Sequence, residues 1–279
     1  MEGKLFYIFH KKFVLQSSDE LIPIGVGRKM IVHDGNIDPD SEWLIRNTLG
    51  DDSGDNISEK DSYCECRALY WIWKNIKQKE TDYIGFFQYR RFLILNDLFE
   101  KDDTSTKDKT VYKTICFNED DQDVWKKIGL DKRAIENYLQ IYDCIIPYQS
   151  ELDKMNVKNI YMDWCDKIRG VHLADLLILE NYIKENYPDL KDDFSEYLNG
   201  SKKLMFQIFI CKRTVFDDYC RWMFDIAGSI ENKINCELYS ANGKRTIGYL
   251  CEILYGFYFS YIAKYKYKIK ECGVAMLKN

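Results

Sequence analysis

The sequence predicts an α/β fold built on a mostly parallel central sheet. Short apolar runs typical of buried strands alternate along the chain with helical patterns of about ten or more residues. The chain has 279 residues, and no linker rich in Pro or Gly divides it. We therefore expect a single domain over 1–279, with a mixed first half at 1–150 and a mainly helical second half at 151–279.

The first strand is predicted at Lys4–Phe9, a run that is apolar and aromatic throughout. His10 and Lys11 follow it directly. Ligands of open α/β sheets bind beyond the carboxyl ends of the strands, so both side chains are candidate ligand contacts. A second short strand is expected at Ile22–Gly27, and 33–40 is rich in turn residues.

A polar loop at 51–58 leads into an aromatic helix, predicted over about Glu59–Lys77. Ser58, with Asp61 behind it, is a candidate cap for the first turn of this helix. The helix is apolar over a wide face, which predicts that it is largely buried.

The next strand, Tyr83–Phe87, is apolar on both faces and is therefore expected at the centre of the sheet. It is followed by Gln88, Tyr89, Arg90 and Arg91. Helix N-termini and paired arginines are common means of holding a diphosphate, so this strand end is a candidate anion site. The alternative is that each arginine pairs with a surface carboxylate.

The segment 96–123 is highly charged and lacks apolar periodicity, which predicts a mobile insertion with a short strand at Val111–Phe117. The remaining predicted elements are a helix at Leu130–Gln140, a strand at Tyr142–Pro147, a helix at Leu173–Asn186, one or two helical turns at Asp189–Leu198, a strand at Leu204–Cys211, a helix at Thr214–Ile230 and a last helix at Thr246–Tyr261.

The overall composition excludes several classes of protein. A net charge of −5 argues against a nucleic-acid-binding module. The ten cysteines include no C-x-x-C pair, and neither a secretory signal nor a membrane span of about 20 apolar residues is visible. We expect a cytoplasmic protein with reduced cysteines. The basic, aromatic segment 261–270 is either a solvated terminal element or a peripheral contact with anionic lipids at the inner face of the plasma membrane.

Three phrases stand out in the first third of the chain, and the first two are long and unusual: Gly54-Asp-Asn-Ile-Ser-Glu-Lys60, Ala68-Leu-Tyr-Trp-Ile-Trp-Lys-Asn75 and Tyr89-Arg-Arg91. They resemble the bacterial glycosyltransferase family catalogued as domain of unknown function 4422, whose members occur in capsule, exopolysaccharide and O-antigen synthesis. Later segments follow in the same order, and the resemblance runs from about Lys4 to about Tyr261. They are Asp143–Pro147, Phe206–Lys212, Phe216–Phe224 and Gly248–Glu252.

The resemblance implies a glycosyltransferase-A fold, with a nucleotide-sugar-binding half at 1–150 and an acceptor half at 151–279. Some family members are galactofuranosyl- or galactosyltransferases. The implied reaction moves a hexose from a UDP-sugar to a lipid-linked or oligosaccharide acceptor. The alternative is a non-catalytic partner that binds nucleotide-sugars within a polysaccharide assembly complex.

Many enzymes of this fold hold a divalent cation on an Asp-x-Asp motif after a central strand. Here Gln88-Tyr-Arg-Arg91 stands at that location, without an Asp. We expect Arg90 and Arg91 to bind the diphosphate directly, so that Mn²⁺ or Mg²⁺ is not favoured and no metal ligand is assigned. The family usually has His where Gln88 stands, and an amide cannot titrate.

The resemblance also marks Asp55, Asn56, Ser58 and Lys60 as donor-site candidates, since carboxylate, amide, hydroxyl and ammonium groups suit ribose, sugar and phosphate oxygens. The alternative is a turn with a helix cap, followed by an exposed helical lysine. Glu65, within the same helix, is either paired with an arginine or functional.

Glu252 matches a family glutamate on a late helix and is predicted as the general base, although Ile253 replaces the Arg that often follows it. The alternative is a surface carboxylate or a partner for Arg245. His172 resembles a family His and is, with Arg90, a further candidate catalytic residue. The alternative for His172 is a capping or core histidine.

Three residues are predicted to contact the acceptor. Gln207 stands where the family tends to have Asn, Asp143 opens a strand where a turn role is equally plausible, and Arg245 precedes the last helix.

Overall fold

A computed structural model describes residues 1–15, 21–33, 37–96, 114–119, 121, 123–165 and 170–278. Most of the insertion predicted at 96–123 lies outside the described residues. The strand expected there at Val111–Phe117 is described from Thr114 onward.

The helices are α1 (Arg28–His33), α2 (Pro39–Asn47), α3 (Cys66–Asn75), α4 (Val124–Ile128), α5 (Lys132–Ile141), α6 (Ile160–Trp164), α7 (Leu173–Asn186), α8 (Lys191–Asn199), α9 (Arg213–Ile230), α10 (Thr246–Phe257) and α11 (Ala263–Lys266). A π-helical turn, Tyr258–Ile262, joins α10 to α11. The strands are β1 (Gly3–Phe9), β2 (Leu21–Gly25), β3 (Leu49–Gly50), β4 (Tyr83–Gln88), β5 (Arg91–Leu93), β6 (Thr114–Asn118), β7 (Cys144–Pro147), β8 (Ser150–Glu151), β9 (Lys202–Lys203), β10 (Phe209–Lys212), β11 (Ile269–Cys272) and β12 (Val274–Lys278).

The central sheet has the strand order β11-β7-β10-β4-β1-β2-β3, and β5, β6 and β12 extend it beside β4. Strands β2, β1 and β4 run parallel, whereas β10 lies antiparallel between β4 and β7. The predicted α/β fold with a mostly parallel sheet is confirmed.

Strand β4 lies at the centre of the sheet, as its apolar faces predicted, and only its last residue is partly exposed. Its neighbour β1 pairs with it in parallel, with Ile8 opposite Gln88. The carboxyl ends of the two strands therefore lie side by side, and the polar residues that follow each strand meet at one edge of the sheet. Antiparallel β10 begins at this same edge.

The core lies on both faces of the sheet, and the alternation of side chains along β1 shows why. Phe6 and Ile8 pack into a large cluster with the helices α3, α7, α9 and α10. Leu5, Tyr7 and Phe9 point to the opposite face and pack with β5, β12 and α5. A strand buried on both faces needs a nearly continuous apolar run, which β1 has.

The aromatic helix is shorter than predicted. A 3₁₀ turn occupies Asp61–Tyr63, and α3 begins only at Cys66, because Cys64 has a φ of 52° and interrupts the helical path. The capping role predicted for Ser58 is wrong. Its hydroxyl is buried and donates a hydrogen bond to Asp51 at 2.6 Å instead.

The strand predicted at Leu204–Cys211 is only half correct. Phe206 and Gln207 form a turn in which both residues have positive φ, 76° and 45°, and β10 starts at Phe209. Both values fall in the left-handed region that non-glycine residues rarely adopt.

Several elements were not predicted, among them helix α2 and strands β11 and β12. Helix α2 occupies part of the turn-rich segment, with Asp38 accepting hydrogen bonds from Asp40 and Ser41 as its cap. Strands β11 and β12 complete the sheet after the last helix. Among the described residues, no helix is long and apolar enough to cross a membrane.

A buried ion pair joins the small β8–β9 sheet to helix α6. The Lys203 ammonium lies 2.8 Å from the Asp163 carboxylate, and their side chains are only 3% and 7% exposed. The same ammonium lies 3.9 Å from Glu252 on α10. One buried cation thus connects three elements of the second half of the chain.

We predict that Lys203→Met lowers the free energy of unfolding by about 3–5 kcal/mol, because it leaves the Asp163 charge buried without its partner. Urea denaturation of wild type and variant measures the difference. The double variant Lys203→Met/Asp163→Leu should recover much of the loss, since it removes both charges. Lys202→Met, at the exposed neighbouring position, serves as the control, and equal stability of Lys203→Met and wild type would contradict the prediction.

Candidate functional site

A cleft of about 550 Å³ opens at the edge of the sheet where β1 and β4 end. One wall is the segment that leads into α3, and another is the turn before α10. The charged and titratable side chains that dominate its lining are His10, Lys11, Glu65, Arg90, Arg91 and Arg245. Residues predicted from four separate parts of the chain are thus brought together here.

The two adjacent arginines are placed by the tight turn between β4 and β5. Gln88 pairs with Arg91 across this turn, and Tyr89 is buried against the rings of His10 and Phe13 at 5.1 and 5.0 Å. The backbone carbonyl of Arg90 accepts a hydrogen bond from β12. The aromatic anchor and the backbone pairing hold both guanidinium groups at the rim of the sheet.

Neither arginine is neutralised within the described part of the chain. The Arg91 guanidinium lies over the Phe206 ring at 4.5 Å and donates a hydrogen bond to Gln88 Oε1. The Nε atoms of Arg90 and Arg91 are buried and have no hydrogen-bond partner among the described residues. Burial and the nearby charge of Arg90 lower the pKa of Arg91. Buried donors are normally paired, and an anion is an acceptor that suits a guanidinium group.

Arg245 lies in the same cleft, although it was predicted on the acceptor side. Its Nε donates to the Cys64 sulfur at 3.1 Å, and its guanidinium lies 5.4 Å from the Tyr249 ring centroid. Burial raises the pKa of the Cys64 thiol to about 12, so this partner is neutral. Arg245 Nη2 is 3.9 Å from Glu65 Oε2, too far for a hydrogen bond.

Glu65 provides a negative charge among these cations. Its Oε1 accepts a hydrogen bond from Gln88 Nε2 at 3.2 Å. Burial, followed by the charge of Glu252, raises the pKa of Glu65, and the charges of Arg245 and Arg91 oppose that rise. The Glu65 carboxylate lines the cleft, and among the described residues its nearest ion-pair partner is Arg245 at 3.9 Å.

His10 and Lys11 stand opposite the arginines at the end of β1. Burial lowers the pKa of His10 to about 4, and the positive charges of Arg245, Lys11, Arg90 and Arg91 add to the effect. The His10 side chain lies among the cleft residues but keeps one part in contact with water at the rim, and this contact weakens the lowering of its pKa. At neutral pH its imidazole is uncharged and can donate or accept a hydrogen bond.

The four donor-site candidates in the polar loop do not line the cleft. Asp55 accepts a hydrogen bond from Tyr70, and the Asn56 amide donates to the carbonyls of Asp52 and Gly54. Ser58 is buried against Asp51, and Lys60 pairs with Glu231 at 2.6 Å. In this structure they shape the loop, and their role in donor binding stays a prediction.

Asp51, which the sequence did not single out, explains the conformation of this loop. It is fully buried and accepts hydrogen bonds from the backbone of Gly27 and Arg28, at the start of α1, and from Ser58. The loop thereby fixes the first turn of α1 beside the cleft.

Two predicted acceptor residues also lie elsewhere. Asp143 pairs with Lys212 at 2.7 Å at the opposite edge of the sheet, beside the amino end of β4. Gln207 is 1% exposed and donates to the Tyr219 hydroxyl inside the core. His172 caps α7 at the surface, with its ring 4.5 Å from that of Tyr239.

Glu252 does not line the cleft but lies just behind it. Its Oε1 accepts a hydrogen bond from the backbone N–H of Phe206 at 3.0 Å. Its other oxygen lies 3.9 Å from Lys203, and the side chain is 22% exposed. Glu252 thus holds the turn that places the Phe206 ring against Arg91.

A smaller recess of about 400 Å³ continues from the cleft along α1 and α2. The two cavities share His10, Val26, Asp61 and Arg67. Arg67 is buried and pairs with Asp61 at 3.2 Å, so it forms part of the wall between them. Its position within an otherwise apolar helix was the signal in the sequence that could have marked it.

Among the residues the structure describes, no group of three or more His, Cys, Asp or Glu side chains is arranged so that it could hold a metal ion.

We predict that the pKa of His10, followed by NMR through its imidazole signals, lies below the ordinary value of 6.5 in the free protein. Pyrophosphate should raise this pKa, because its negative charge offsets the surrounding cations. The signals of His172, outside the cleft, are the internal control for specific binding. A His10 pKa that does not respond to saturating pyrophosphate would contradict anion binding here.

Comparisons with known proteins agree with this architecture. A solved structure of WbbM, described as a bifunctional glycosyltransferase in its apo form, superposes with a TM-score of 0.83 at 25% sequence identity. The match covers 100% of this chain and 46% of that one, so the chain spans less than half of its length. The predicted glycosyltransferase-A-like fold is confirmed.

No curated protein matches the chain. A family model does match it, over residues 4–264. The protein therefore belongs to the family described as domain of unknown function DUF4422.

Proposed function

We propose that this protein is a glycosyltransferase that moves a hexose from a UDP-sugar to a hydroxyl acceptor. The observation that carries the proposal is the pair of arginines directly after the central strand, Arg90 and Arg91, whose buried Nε atoms have no hydrogen-bond partner in the part of the chain that the structure describes. Both arginines line a cleft of about 550 Å³, a size that suits a nucleotide-sugar. The likeness to WbbM, a glycosyltransferase, supports the same reading.

The charges of the cleft fit the chemistry of the leaving group. When the bond to the sugar breaks, the departing diphosphate gains negative charge, and preorganised cations stabilise that charge. The cations that line the cleft are five, and the carboxylates are two: Lys11, Arg67, Arg90, Arg91 and Arg245 against Asp61 and Glu65. The cations thus exceed the carboxylates, and the diphosphate is bound by arginine.

The neighbouring recess is where we place the nucleoside. Val26, Met30, Ile31 and Leu44 give it apolar walls for a base. The exposed carboxylate of Asp61 stands between the recess and the cleft, within reach of ribose hydroxyls. The donor would then lie along the carboxyl edge of the sheet, with its diphosphate beside Arg90.

For the finer specificity, we propose galactofuranose or galactose as the donor sugar, and a lipid-linked or oligosaccharide acceptor in capsule or exopolysaccharide synthesis. The family resemblance supports this choice. A peripheral membrane contact through 261–270 is part of the proposal. Tyr265 is 78% exposed and Lys264 lies beside it, whereas Lys266 is already paired with Asp218.

We predict that Arg90→Ala abolishes transfer and weakens UDP binding by about 10- to 100-fold, the loss of a charge-assisted hydrogen bond of about 1.5–3 kcal/mol. Calorimetric titration with UDP and a UDP-release assay measure the two effects, and thermal unfolding verifies the fold. Arg46→Ala is the matched control, because Arg46 is 73% exposed on α2.

Three measurements test the proposed function and the binding of the diphosphate by arginine. Transfer that persists in excess EDTA supports diphosphate binding by arginine, whereas strict dependence on Mn²⁺ or Mg²⁺ would defeat it. A fully active Arg90→Ala would do the same. A wild-type protein that binds UDP-sugars but neither transfers nor hydrolyses them would favour the alternative of a non-catalytic partner in an assembly complex.

A further inference from the structure

We propose that Glu65 is the catalytic base that takes the proton from the acceptor hydroxyl. The inference rests on the proposed transferase function and names a residue within the same cleft. It places the chemistry at the start of α3 and gives Glu252, predicted as the base from the sequence, a different role.

The first argument is position. Among the described residues, Asp61 and Glu65 are the two carboxylates that line the cleft. Asp61 is 61% exposed, and one of its carboxylate oxygens lies 3.2 Å from the Arg67 guanidinium, so this carboxylate is both hydrated and ion-paired. Glu65 is 28% exposed, and its Oε2 has Arg245 no closer than 3.9 Å. Glu65 is the carboxylate better placed to accept a proton from a substrate.

The second argument is orientation. Glu65 Oε1 is held by Gln88 Nε2, which also donates to the Phe206 carbonyl at 2.7 Å. Gln88 Oε1 in turn accepts a hydrogen bond from Arg91. One fixed amide therefore orients the base and an arginine of the diphosphate site, but keeps their charges apart. A base held in this way needs no rearrangement during the reaction.

The third argument is the electrostatic setting. Burial favours the neutral form of Glu65, which makes its carboxylate a stronger base than an exposed glutamate. The cations around it still stabilise the ionised form that must exist before the reaction. General bases work best when these two influences bring their proton affinity close to the working pH.

The step that follows is a single displacement. The acceptor oxygen forms a bond to the anomeric carbon as the bond from that carbon to the β-phosphate oxygen breaks, and the electron pair stays on the diphosphate. The hydroxyl proton moves to a carboxylate oxygen of Glu65 and then to solvent. Arg90 and Arg91 receive the charge that develops on the leaving group.

Glu252 is better described as a positioning residue. Its carboxylate is used by the Phe206 N–H and by Lys203, and it does not line the cleft. It acts on the reaction through the Phe206 ring, which packs on the Arg91 guanidinium. Loss of Glu252 should therefore disturb donor binding, whereas loss of Glu65 should not.

The test compares Glu65→Gln, Glu65→Asp and Glu252→Gln with wild type in the full chain. UDP release from UDP-galactofuranose, UDP-galactose and UDP-glucose gives turnover with water as the acceptor, and calorimetry gives the Kd for each donor. Glu65→Gln should lower turnover about 10²- to 10⁴-fold, with donor affinity unchanged or tighter because a negative charge beside the diphosphate is gone.

The pH profile and the Glu65→Asp variant distinguish the loss of a base from a purely structural effect. The acid limb of the wild-type turnover profile should disappear in Glu65→Gln, and Glu65→Asp should retain part of the activity because it keeps a carboxylate. Glu252→Gln should raise the donor Kd together with any loss of turnover.

Several outcomes would overturn the assignment. They are wild-type turnover in Glu65→Gln, a loss of donor affinity in Glu65→Gln that matches its loss of turnover, or a turnover loss at unchanged Kd in Glu252→Gln alone. A wild-type protein that neither binds nor turns over any of the three donors would refute the proposed function, and the role of Glu65 would fall with it.

Discussion

Mutual repulsion among like charges is the constraint on which this site depends. Lys11, Arg90, Arg91 and Arg245 share one edge of the sheet, and Glu65 offsets only part of their charge. They are held by neutral contacts, such as the Phe206 ring, the Gln88 amide and the Cys64 thiol. Because those contacts position the cations but do not neutralise them, the charge that Glu65 does not offset remains available to an anion.

Strand pairing and helix packing in the rest of the fold bring the residues of the cleft together. Parallel pairing of β1 and β4 sets His10 beside the residues that follow Gln88. Antiparallel β10 starts at the same edge and brings the Phe206 turn against them. Helix α10 approaches the opposite wall closely at Gly248, where an added Cβ would lie 3.0 Å from the Cys64 sulfur. A side chain at that position would push Cys64 and its partner Arg245 apart.

The sequence could predict those parts of the site that follow from strand order. The carboxyl ends of parallel strands always share an edge, so His10, Arg90 and Arg91 could be placed together from apolar runs alone. The polar loop misled the prediction, because its carboxylate, amide and hydroxyl groups are used within the loop itself. Arg245 and the Phe206 turn depend on contacts between distant parts of the chain, which periodicity does not record.

The turn at Phe206 and Gln207 places stability and function in competition. Two consecutive non-glycine residues with positive φ cost of order 1–2 kcal/mol each. Glycine at position 206 would remove the strain at that residue. It would also leave the Arg91 guanidinium without the aromatic ring on which it packs. Selection for heat resistance alone would therefore tend to replace these two residues and weaken the anion site. A laboratory evolution experiment that aims at stability should hold both positions constant.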